Sequence, residues 1–269
     1  MIPYKFDYCR AKSVTDAERL FAAANDAKFL AGGQTLIPAM KQRLASPAQL
    51  IDISMIGELS FIELRGETIV VGAGTRHEAV ANSDVVRRHI PALAELAERI
   101  GDPAVRHLGT LGGSLANNDP AADYPAAALA LAASIRTNRR VIEADEFFVG
   151  MFLTALEAGE LILDVTFPVA ELAGYAKFPN PASRYALAGV FVAKTVRGVR
   201  VAVTGAAPAV FRQPAMEAAL GRSFRSDALD GIAVQSTDLN SDLHASAEYR
   251  AHLVTVMAKR AVAAALAKH

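Results

Sequence analysis

Cysteine is almost absent from this 269-residue sequence, and several kinds of site are excluded with it. Cys9 is the single cysteine, so an internal disulfide is excluded. An iron–sulfur cluster needs about four cysteine ligands and cannot be held by this chain alone. The histidines are scattered, and none forms a His-x-x-x-His pair of the kind that binds zinc. Any iron–sulfur cluster that works with this protein must therefore lie on another chain.

An excess of charge and a long apolar run are missing as well. Lys and Arg number 28 and Asp and Glu also number 28, so no overall positive field attracts nucleic acid or an anionic membrane surface. The longest weakly polar run, residues 124–135, contains Pro125 and is far shorter than the roughly 20 residues that span a bilayer. The first residues lack the apolar stretch of a signal peptide. We therefore expect a cytoplasmic protein with no nucleic-acid partner and no membrane insertion.

The pattern of apolar residues, which make up 52% of the chain, predicts two regions with a boundary near residue 170. Strands alternate with helices in the first region, and antiparallel hairpins precede helices in the second. The predicted helices cover residues 14–24 (capped by Ser13), 36–44, 76–82, 92–100, 145–156, 213–220 and 246–268. The predicted strands cover residues 28–31, 50–53, 61–64, 68–72, 135–142 (as a hairpin), 161–167, 175–178, 188–196 and 199–204. Residues 101–125 follow no period and are expected to be a long functional loop.

Two glycine-rich loops carry the chemistry of a phosphate site. The first, AGGQT at residues 31–35, follows a predicted strand, and its two glycines let the peptide N–H groups approach phosphate oxygens. The second, TLGGS at residues 110–114, repeats this chemistry with flanking hydroxyl groups. A Gly-Gly pair after a strand is, on its own, more typical of a tight turn than of a phosphate site. Together they favour one long dinucleotide, whose pyrophosphate and sugar hydroxyls would be shared between them.

A third glycine segment opens like the nicotinamide-dinucleotide fingerprint G-x-G-x-x-G but does not complete it. The segment VGAGTRH at residues 71–77 follows a predicted strand, yet His77 stands where the third glycine belongs. We interpret it as the exit of a strand and the cap of the next helix.

With both loops in place, the sequence resembles the FAD-binding medium subunits of the molybdenum hydroxylases, a group that includes carbon monoxide dehydrogenase and the flavin segment of xanthine dehydrogenase. AGGQT is similar to the family's A-G-G-H/Q-S/T loop, and TLGGS is similar to its T-I-G-G-S/N loop. Further segments that look like the family are GDPAVRHLG at 101–109, DPAADYP at 119–125, PASRYALAGV at 181–190 and ASAEYR at 245–250. The resemblance covers nearly the whole chain.

The resemblance implies an α+β fold in two domains. Residues 1–170 would form a two-part FAD-binding domain of the vanillyl-alcohol oxidase type, divided at roughly 1–55 and 56–170. Residues 171–269 would form a smaller domain of antiparallel sheet and helices. The implied function is that of an oxidoreductase subunit. Noncovalent FAD would carry electrons from a small [2Fe–2S] subunit to an external acceptor, with hydroxylation on a large molybdopterin subunit and a dimer of heterotrimers as the assembly.

The resemblance also assigns cofactor contacts, residue by residue, and implies no catalytic or metal-binding side chain on this chain. The pyrophosphate would lie on Phe29, Leu30, Ala31, Gly32, Gly33, Gln34, Thr35 and Leu36, and further phosphate and ribityl oxygens on Thr110, Leu111, Gly112, Gly113 and Ser114. Asp123 would accept hydrogen bonds from cofactor hydroxyls, whereas Asp119 would shape the loop. The backbone of Ile162 would contact the pyrimidine edge of the flavin, together with either Lys177 or Asn180. Tyr185 would pack beside the isoalloxazine, although a buried core tyrosine is an equal alternative.

Two other functions stay open on the sequence alone. One is a self-contained FAD-dependent dehydrogenase or oxidase; the small second domain and the missing flavin-linking histidine beside the first loop argue against it. The other is a cofactor-free interaction module, against which the four glycines at positions 32, 33, 112 and 113 argue.

Overall fold

A computed structural model describes residues 2–268, so Met1 and His269, at the outer ends of the two predicted domains, lie outside the described residues. The helices are α1 (Val14–Ala23), α2 (Leu36–Lys41), α3 (His77–Asn82), α4 (Asp84–His89), α5 (Pro91–Glu98), α6 (Pro103–Leu108), α7 (Leu111–Asn117), α8 (Tyr124–Ala130), α9 (Ala144–Phe147), α10 (Pro214–Arg222) and α11 (Ala247–Leu266), with short 3-10 helices at Gly57–Leu59 and Ser226–Leu229. The strands are β1 (Asp7–Arg10), β2 (Ala27–Leu30), β3 (Gln49–Asp52), β4 (Ile62–Arg65), β5 (Thr68–Gly72), β6 (Ser134–Thr137), β7 (Val141–Glu143), β8 (Phe148–Gly150), β9 (Leu153–Thr154), β10 (Ile162–Pro168), β11 (Leu172–Pro179), β12 (Ala186–Thr195), β13 (Gly198–Thr204) and β14 (Phe211–Arg212).

These strands form three sheets in successive stretches of the chain, besides the small β8–β9 hairpin. The first sheet is parallel, with the order β1-β3-β2. The second is antiparallel, with the order β4-β5-β10-β6-β7. The third is antiparallel, with the order β11-β12-β13-β14, and α11 packs against β11 and β12. This confirms the expected α+β fold with an antiparallel sheet and a terminal helix in the second region.

The largest hydrophobic core lies around α8 and joins the second sheet to the third. All residues of α8 are buried, as expected for a helix that is apolar on every side. Tyr175 and Phe191 of the third sheet belong to the same cluster of buried side chains as Val165 of the second sheet. The segment before α8 is also tied to the third sheet, because the N–H of Gly205 donates to the carbonyl of Pro120 at 2.8 Å. The two regions of the chain therefore share one core.

Most predicted elements are confirmed, with ends that differ by a few residues. The predicted helix 14–24 is α1, and the N–H of Asp16 donates to the capping Ser13 hydroxyl at 3.1 Å. The predicted hairpin at 61–72 is β4–β5. Strand β1 and helix α4 were not predicted, because β1 has no apolar alternation and α4 carries mostly charged residues.

The prediction that residues 101–125 form an irregular loop was wrong. The segment contains α6, α7 and the start of α8. Asp102 caps α6 by accepting from the N–H of Val105 at 2.9 Å, and Thr110 caps α7 by accepting from the N–H of Gly113 at 3.2 Å. Paired glycines are poor helix formers, so the low helix propensity of residues 112 and 113 argued against α7. Tertiary contacts stabilise this helix despite that low propensity.

The predicted helix over residues 145–156 was also wrong. Helix α9 ends at Phe147, and the chain continues into the β8–β9 hairpin. The Asn118 amide, distant in sequence, holds this hairpin by donating to the carbonyls of Gly150 and Leu153, at 2.8 Å each. A contact between residues more than 30 positions apart leaves no local signal in the sequence.

No helix between residues 2 and 268 is both long enough and apolar enough to cross a membrane.

Candidate cofactor-binding cleft

A long cleft brings the two glycine loops together. Its larger part has a volume of about 1040 Å³, and an adjoining pocket has a volume of about 240 Å³. Phe29, Ala31, Gly32, Thr110 and Gly113 line both parts, so the two are continuous. These dimensions are at the upper end for a small-molecule or cofactor site.

The first loop presents free peptide N–H groups to the larger part of the cleft. It connects β2 to α2, and every residue from Phe29 to Leu36 lines the cleft. Within the described chain, the N–H groups of Gly32, Gly33, Gln34 and Thr35 donate to no other group. Gly33 has φ of +69°, a left-handed conformation that favours glycine and turns the chain towards α2. Successive N–H groups without an internal acceptor are suited to binding phosphate oxygens.

The second loop does not repeat this chemistry, because its N–H groups have internal partners. Leu111 and Gly112 donate to the carbonyls of Thr75 and Ala73, at 3.0 and 2.8 Å. Gly113 and Ser114 donate to the hydroxyl and the carbonyl of Thr110, at 3.2 and 3.0 Å. The loop therefore begins α7 and offers its side chains instead of its backbone.

Helix α7 turns a face of small residues to the cleft. Gly113, Ser114, Ala116 and Asn117 line the larger part, and Gly112 lines the small pocket. Leu111 is fully buried and lines neither, so this predicted site residue belongs to the core. The small side chains leave room for a ligand, and Ser114 and Asn117 bring polar groups to it.

Gly32 and Gly112 are required for close packing of the two loops on their neighbours. A Cβ atom at Gly32 would lie 2.1 Å from the carbonyl oxygen of Leu108, and one at Gly112 would lie 2.5 Å from the Cβ of Ala73. Both contacts are shorter than atoms allow. These two glycines therefore fix the shape of the cleft, independently of any ligand.

Asp123 lies at one end of the cleft in a buried cluster of polar side chains. It is 4% exposed, and it accepts a hydrogen bond from the Tyr175 hydroxyl. The Lys177 ammonium lies 3.0 Å from its carboxylate and also donates to the carbonyl of Arg99 at 2.8 Å. Burial raises the pKa of Asp123, and the charge of Lys177 and the Tyr175 hydroxyl act against that rise. Asp123 is the member of this cluster that lines the cleft.

Of the three residues expected at the pyrimidine edge of the flavin, Lys177 and Asn180 do not line the cleft. Lys177 is directed at Asp123, and its side chain is almost fully buried. Asn180 closes a turn, with its side-chain oxygen accepting from the N–H groups of Ala182 and Ser183 at 2.9 and 3.1 Å. Ile162 lines the small pocket, away from Asp123.

Tyr185 lines the same end of the cleft as Asp123, and 44% of it is exposed. The alternative that it is a buried core tyrosine is therefore wrong. Asp119, nearby, accepts from the N–H of Ala121 at 2.9 Å, which confirms its predicted role in shaping the loop, and it also lines the cleft.

Several residues that line the cleft were not predicted as site residues, among them His77, Phe152 and Glu160. His77 is 5% exposed, and burial, together with the charge of Arg106, lowers its pKa to about 4. Its Nδ1 atom has no partner within the described chain. Hydrogen bonds from Arg140 and Thr137 and from the N–H of Glu157 lower the pKa of Glu160 to about 2, against the effect of burial. His77 was visible in the sequence only as the residue that breaks a glycine fingerprint.

The residues of the cleft fit a dinucleotide. The free N–H groups of the first loop suit a pyrophosphate. Lys28 and Arg184 line the larger part of the cleft together with the acidic residues Asp26, Asp119, Asp123, Glu157 and Glu160, so the backbone N–H groups are the main anion-binding feature. The hydroxyl of Ser114 and the carboxylate of Asp123 suit sugar hydroxyls. No group of three or more His, Cys, Asp or Glu side chains among residues 2–268 is arranged to hold a metal ion.

Comparison with known proteins finds matches along the whole chain. A family described as "FAD binding domain in molybdopterin dehydrogenase" matches residues 4–170, and one described as "CO dehydrogenase flavoprotein C-terminal domain" matches residues 174–265. The sequence is 37% identical to the carbon monoxide dehydrogenase medium chain of Hydrogenophaga pseudoflava, over 100% of this chain and 99% of that relative. It is 36% identical to the nicotine 6-hydroxylase medium subunit of Paenarthrobacter nicotinovorans, over 97% of each chain. Among solved structures, the reconstituted carbon monoxide dehydrogenase from Oligotropha carboxidovorans superimposes with a TM-score of 0.91, at 34% identity over 100% of both chains.

Proposed function

Because the chain belongs to the FAD-binding medium subunits of the molybdenum hydroxylase family, we propose that it binds FAD noncovalently in the cleft between its two glycine loops. We propose further that it passes electrons from the [2Fe–2S] centres of a partner subunit, through FAD, to an external acceptor. The observation that carries the proposal is the row of free N–H groups from Gly32 to Thr35, which faces the small-residue side of α7 across one continuous cleft.

The shape of the cleft supports one orientation of the cofactor. The pyrophosphate would lie on the first loop, where the N–H groups of residues 32–35 have no acceptor among residues 2–268. The small pocket is lined largely by apolar groups such as Ile53, Leu59 and Ile162, and it would take the adenine ring. The isoalloxazine would then lie at the other end, beside Asp123 and Tyr185. In this orientation the backbone of Ile162 contacts the adenine rather than the pyrimidine edge of the flavin.

FAD, when bound, supplies the electron-transfer chemistry, and the side chains of this protein position it. Asp123 would accept hydrogen bonds from ribityl or ribose hydroxyls, with Lys177 and Tyr175 holding its carboxylate in place. A carboxylate suits hydroxyl donors and would repel the pyrophosphate, so Asp123 is assigned to the sugar hydroxyls and the first loop to the phosphates. Lys177 would act through Asp123. Ser114 and Asn117 of α7 would contact the middle of the cofactor.

The proposed assembly contains two further subunits. Relatives at 37% and 36% identity are named as a medium chain and a medium subunit, names that belong to multi-subunit enzymes. With one cysteine, this chain has too few ligands for a [2Fe–2S] centre. A small [2Fe–2S] subunit and a large molybdopterin subunit, in a dimer of heterotrimers, would supply the remaining centres.

Purification from the native host tests this proposal. We expect the chain to carry FAD that is released by denaturation, and to purify with a cysteine-rich small subunit and a molybdopterin-containing large subunit. Separated from them, it should hydroxylate no substrate. Full substrate turnover by the isolated chain would contradict the subunit assignment and favour a self-contained flavoenzyme.

A further inference from the structure

The β8–β9 hairpin at the rim of the cleft exposes an unusual set of apolar side chains. Val149, Met151, Phe152 and Leu153 are each between 53% and 58% exposed. Phe152 and Leu153 line the larger part of the cleft, whereas Val149 and Met151 do not. The hairpin therefore has one apolar face towards the cleft and one towards solvent.

Phe152 is held in a backbone conformation that a bulky side chain rarely adopts. Its φ is +53°, in the left-handed region. Such a conformation persists only where the surrounding structure fixes it, and it is concentrated at ligand-binding sites. Sequence context gives no reason for it, since Gly150 lies two residues away and would adopt this conformation more easily.

Asn118 is the residue that fixes the conformation of Phe152. It follows α7, it is 2% exposed, and it has a φ of +44° itself. Its amide donates to the carbonyls of Gly150 and Leu153 on either side of the hairpin tip, and its carbonyl accepts from the N–H of Phe152 at 3.2 Å. Three hydrogen bonds thus connect one buried side chain and its backbone to the hairpin tip.

These bonds attach the hairpin tip, with Phe152, to the residue directly before Asp119, in the segment that leads to Asp123. Asn118 immediately precedes Asp119, which lines the cleft. Burial raises the pKa of Tyr185, and the nearby charges of Asp119 and Asp123 raise it further, so these three residues lie close together. Phe152 is therefore anchored at the start of the segment that carries Asp119 and Asp123.

We propose that Phe152 is a cofactor-binding residue whose ring packs against the isoalloxazine of bound FAD, and that Asn118 is the positioning residue that holds it there. The inference rests on the proposed function. An exposed phenyl ring that lines a cleft gains burial when a flat aromatic ring lies against it, and aromatic pairs gain further from offset or edge-to-face contact. The rigid hairpin tip avoids part of the entropy loss on binding.

The test compares FAD binding by four variants of the full chain, using the fluorescence of FAD to measure the dissociation constant. Phe152→Ala should weaken FAD binding about tenfold and increase the fluorescence of the bound flavin, because a neighbouring aromatic ring is lost. Phe152→Tyr keeps the ring and should bind as the unaltered chain does. Met151→Ala removes an equally exposed apolar side chain from the other face and should change nothing. Asn118→Gly keeps the left-handed conformation while removing the amide, and it should speed FAD dissociation.

The outcomes distinguish a failure of this inference from a failure of the proposed function. If the unaltered chain binds FAD and Phe152→Ala binds it equally well with unchanged fluorescence, the inference is overturned and the proposed function stands. The inference is also overturned if Phe152→Ala and Met151→Ala both lose the partner subunits while their affinity for FAD is unchanged. The exposed apolar side chains of the hairpin would then contact a partner subunit. If Phe152→Ala fails to fold, Phe152→Gly replaces it, since glycine accepts the left-handed conformation; it should be stable and bind FAD equally weakly. A folded, unaltered chain that ignores FAD overturns both proposals.

Discussion

Single buried polar residues determine much of the chemistry of the cleft, and His77 has the clearest consequence. It is buried, its Nδ1 has no partner among residues 2–268, and burial keeps it neutral in the folded protein at neutral pH. Its folded-state pKa of about 4 lies below the ordinary value of 6.5, so the unfolded chain binds this proton more readily. Its contribution to stability is complete above pH 6.5 and is lost as the pH falls towards 4.

We predict that the cofactor-free protein loses about 3 kcal/mol of unfolding free energy between pH 6.5 and 4 through His77 alone. Urea denaturation at several pH values measures this, and His77→Gln serves as the comparison. The variant should show a flatter dependence on pH over that interval. Equal slopes for the two proteins would contradict the assignment.

The Asp123 cluster gives a second prediction at this scale. Lys177→Met leaves the buried Asp123 carboxylate without its cation, and we expect it to lower the free energy of unfolding by about 3–5 kcal/mol. The double variant Asp123→Asn/Lys177→Met removes both charges and should be closer in stability to the unaltered chain. The loss of unfolding free energy in the double variant is compared with the sum of the losses in Lys177→Met and Asp123→Asn alone. If the two are equal, the two residues do not act as a pair.

The stable double variant also isolates the role of Asp123 in binding. Without the carboxylate, one charge-assisted hydrogen bond of roughly 1.5–3 kcal/mol is weakened, so FAD binding should be about ten- to a hundredfold weaker. Asp119→Ala, which removes the bond to the N–H of Ala121, is the control and should mainly lower thermal stability. FAD titration of both variants measures the difference; the reverse result would show that Asp119 is the cofactor-binding acid.

Among the helices and strands, α7 contains two adjacent glycines that have different roles. A Cβ atom at Gly112 clashes with Ala73, whereas one at Gly113 meets the side-chain hydroxyl of Thr110 at 2.8 Å and the Cβ of Ala31 at 4.0 Å, and lies at the cleft. We predict that Gly112→Ala lowers stability by about 1–3 kcal/mol. Gly113→Val should lower stability less and should weaken FAD binding more. Thermal denaturation and FAD titration of both variants distinguish the effects, and identical profiles for the two would contradict this account.

The sequence predicts elements well where one segment determines its own structure. Helix α1 has its cap and apolar face in consecutive residues, and the first glycine loop follows its strand directly. Helix α7 and the β8–β9 hairpin were not predicted, because both depend on contacts between distant residues, such as Asn118 with Gly150. The ion pair of Lys177 with Asp123 could not be predicted for the same reason, because the two residues are 54 positions apart.

At the scale of the whole molecule, both regions of the chain build the cleft. The first loop and α7 come from the first region, while Tyr175 and Lys177 of β11 and Tyr185, directly before β12, surround Asp123 from the second region. The shared core around α8 fixes this arrangement. The family resemblance indicated which segments contribute to the site, but not that the second loop would use its N–H groups internally.

Calorimetric titration of the cofactor-free chain with FAD shows whether this cleft holds noncovalent FAD. We predict saturable binding of one FAD per chain, with the flavin released unmodified when the protein is denatured. A chain that is folded by circular dichroism, carries no flavin and takes up none would contradict the claim.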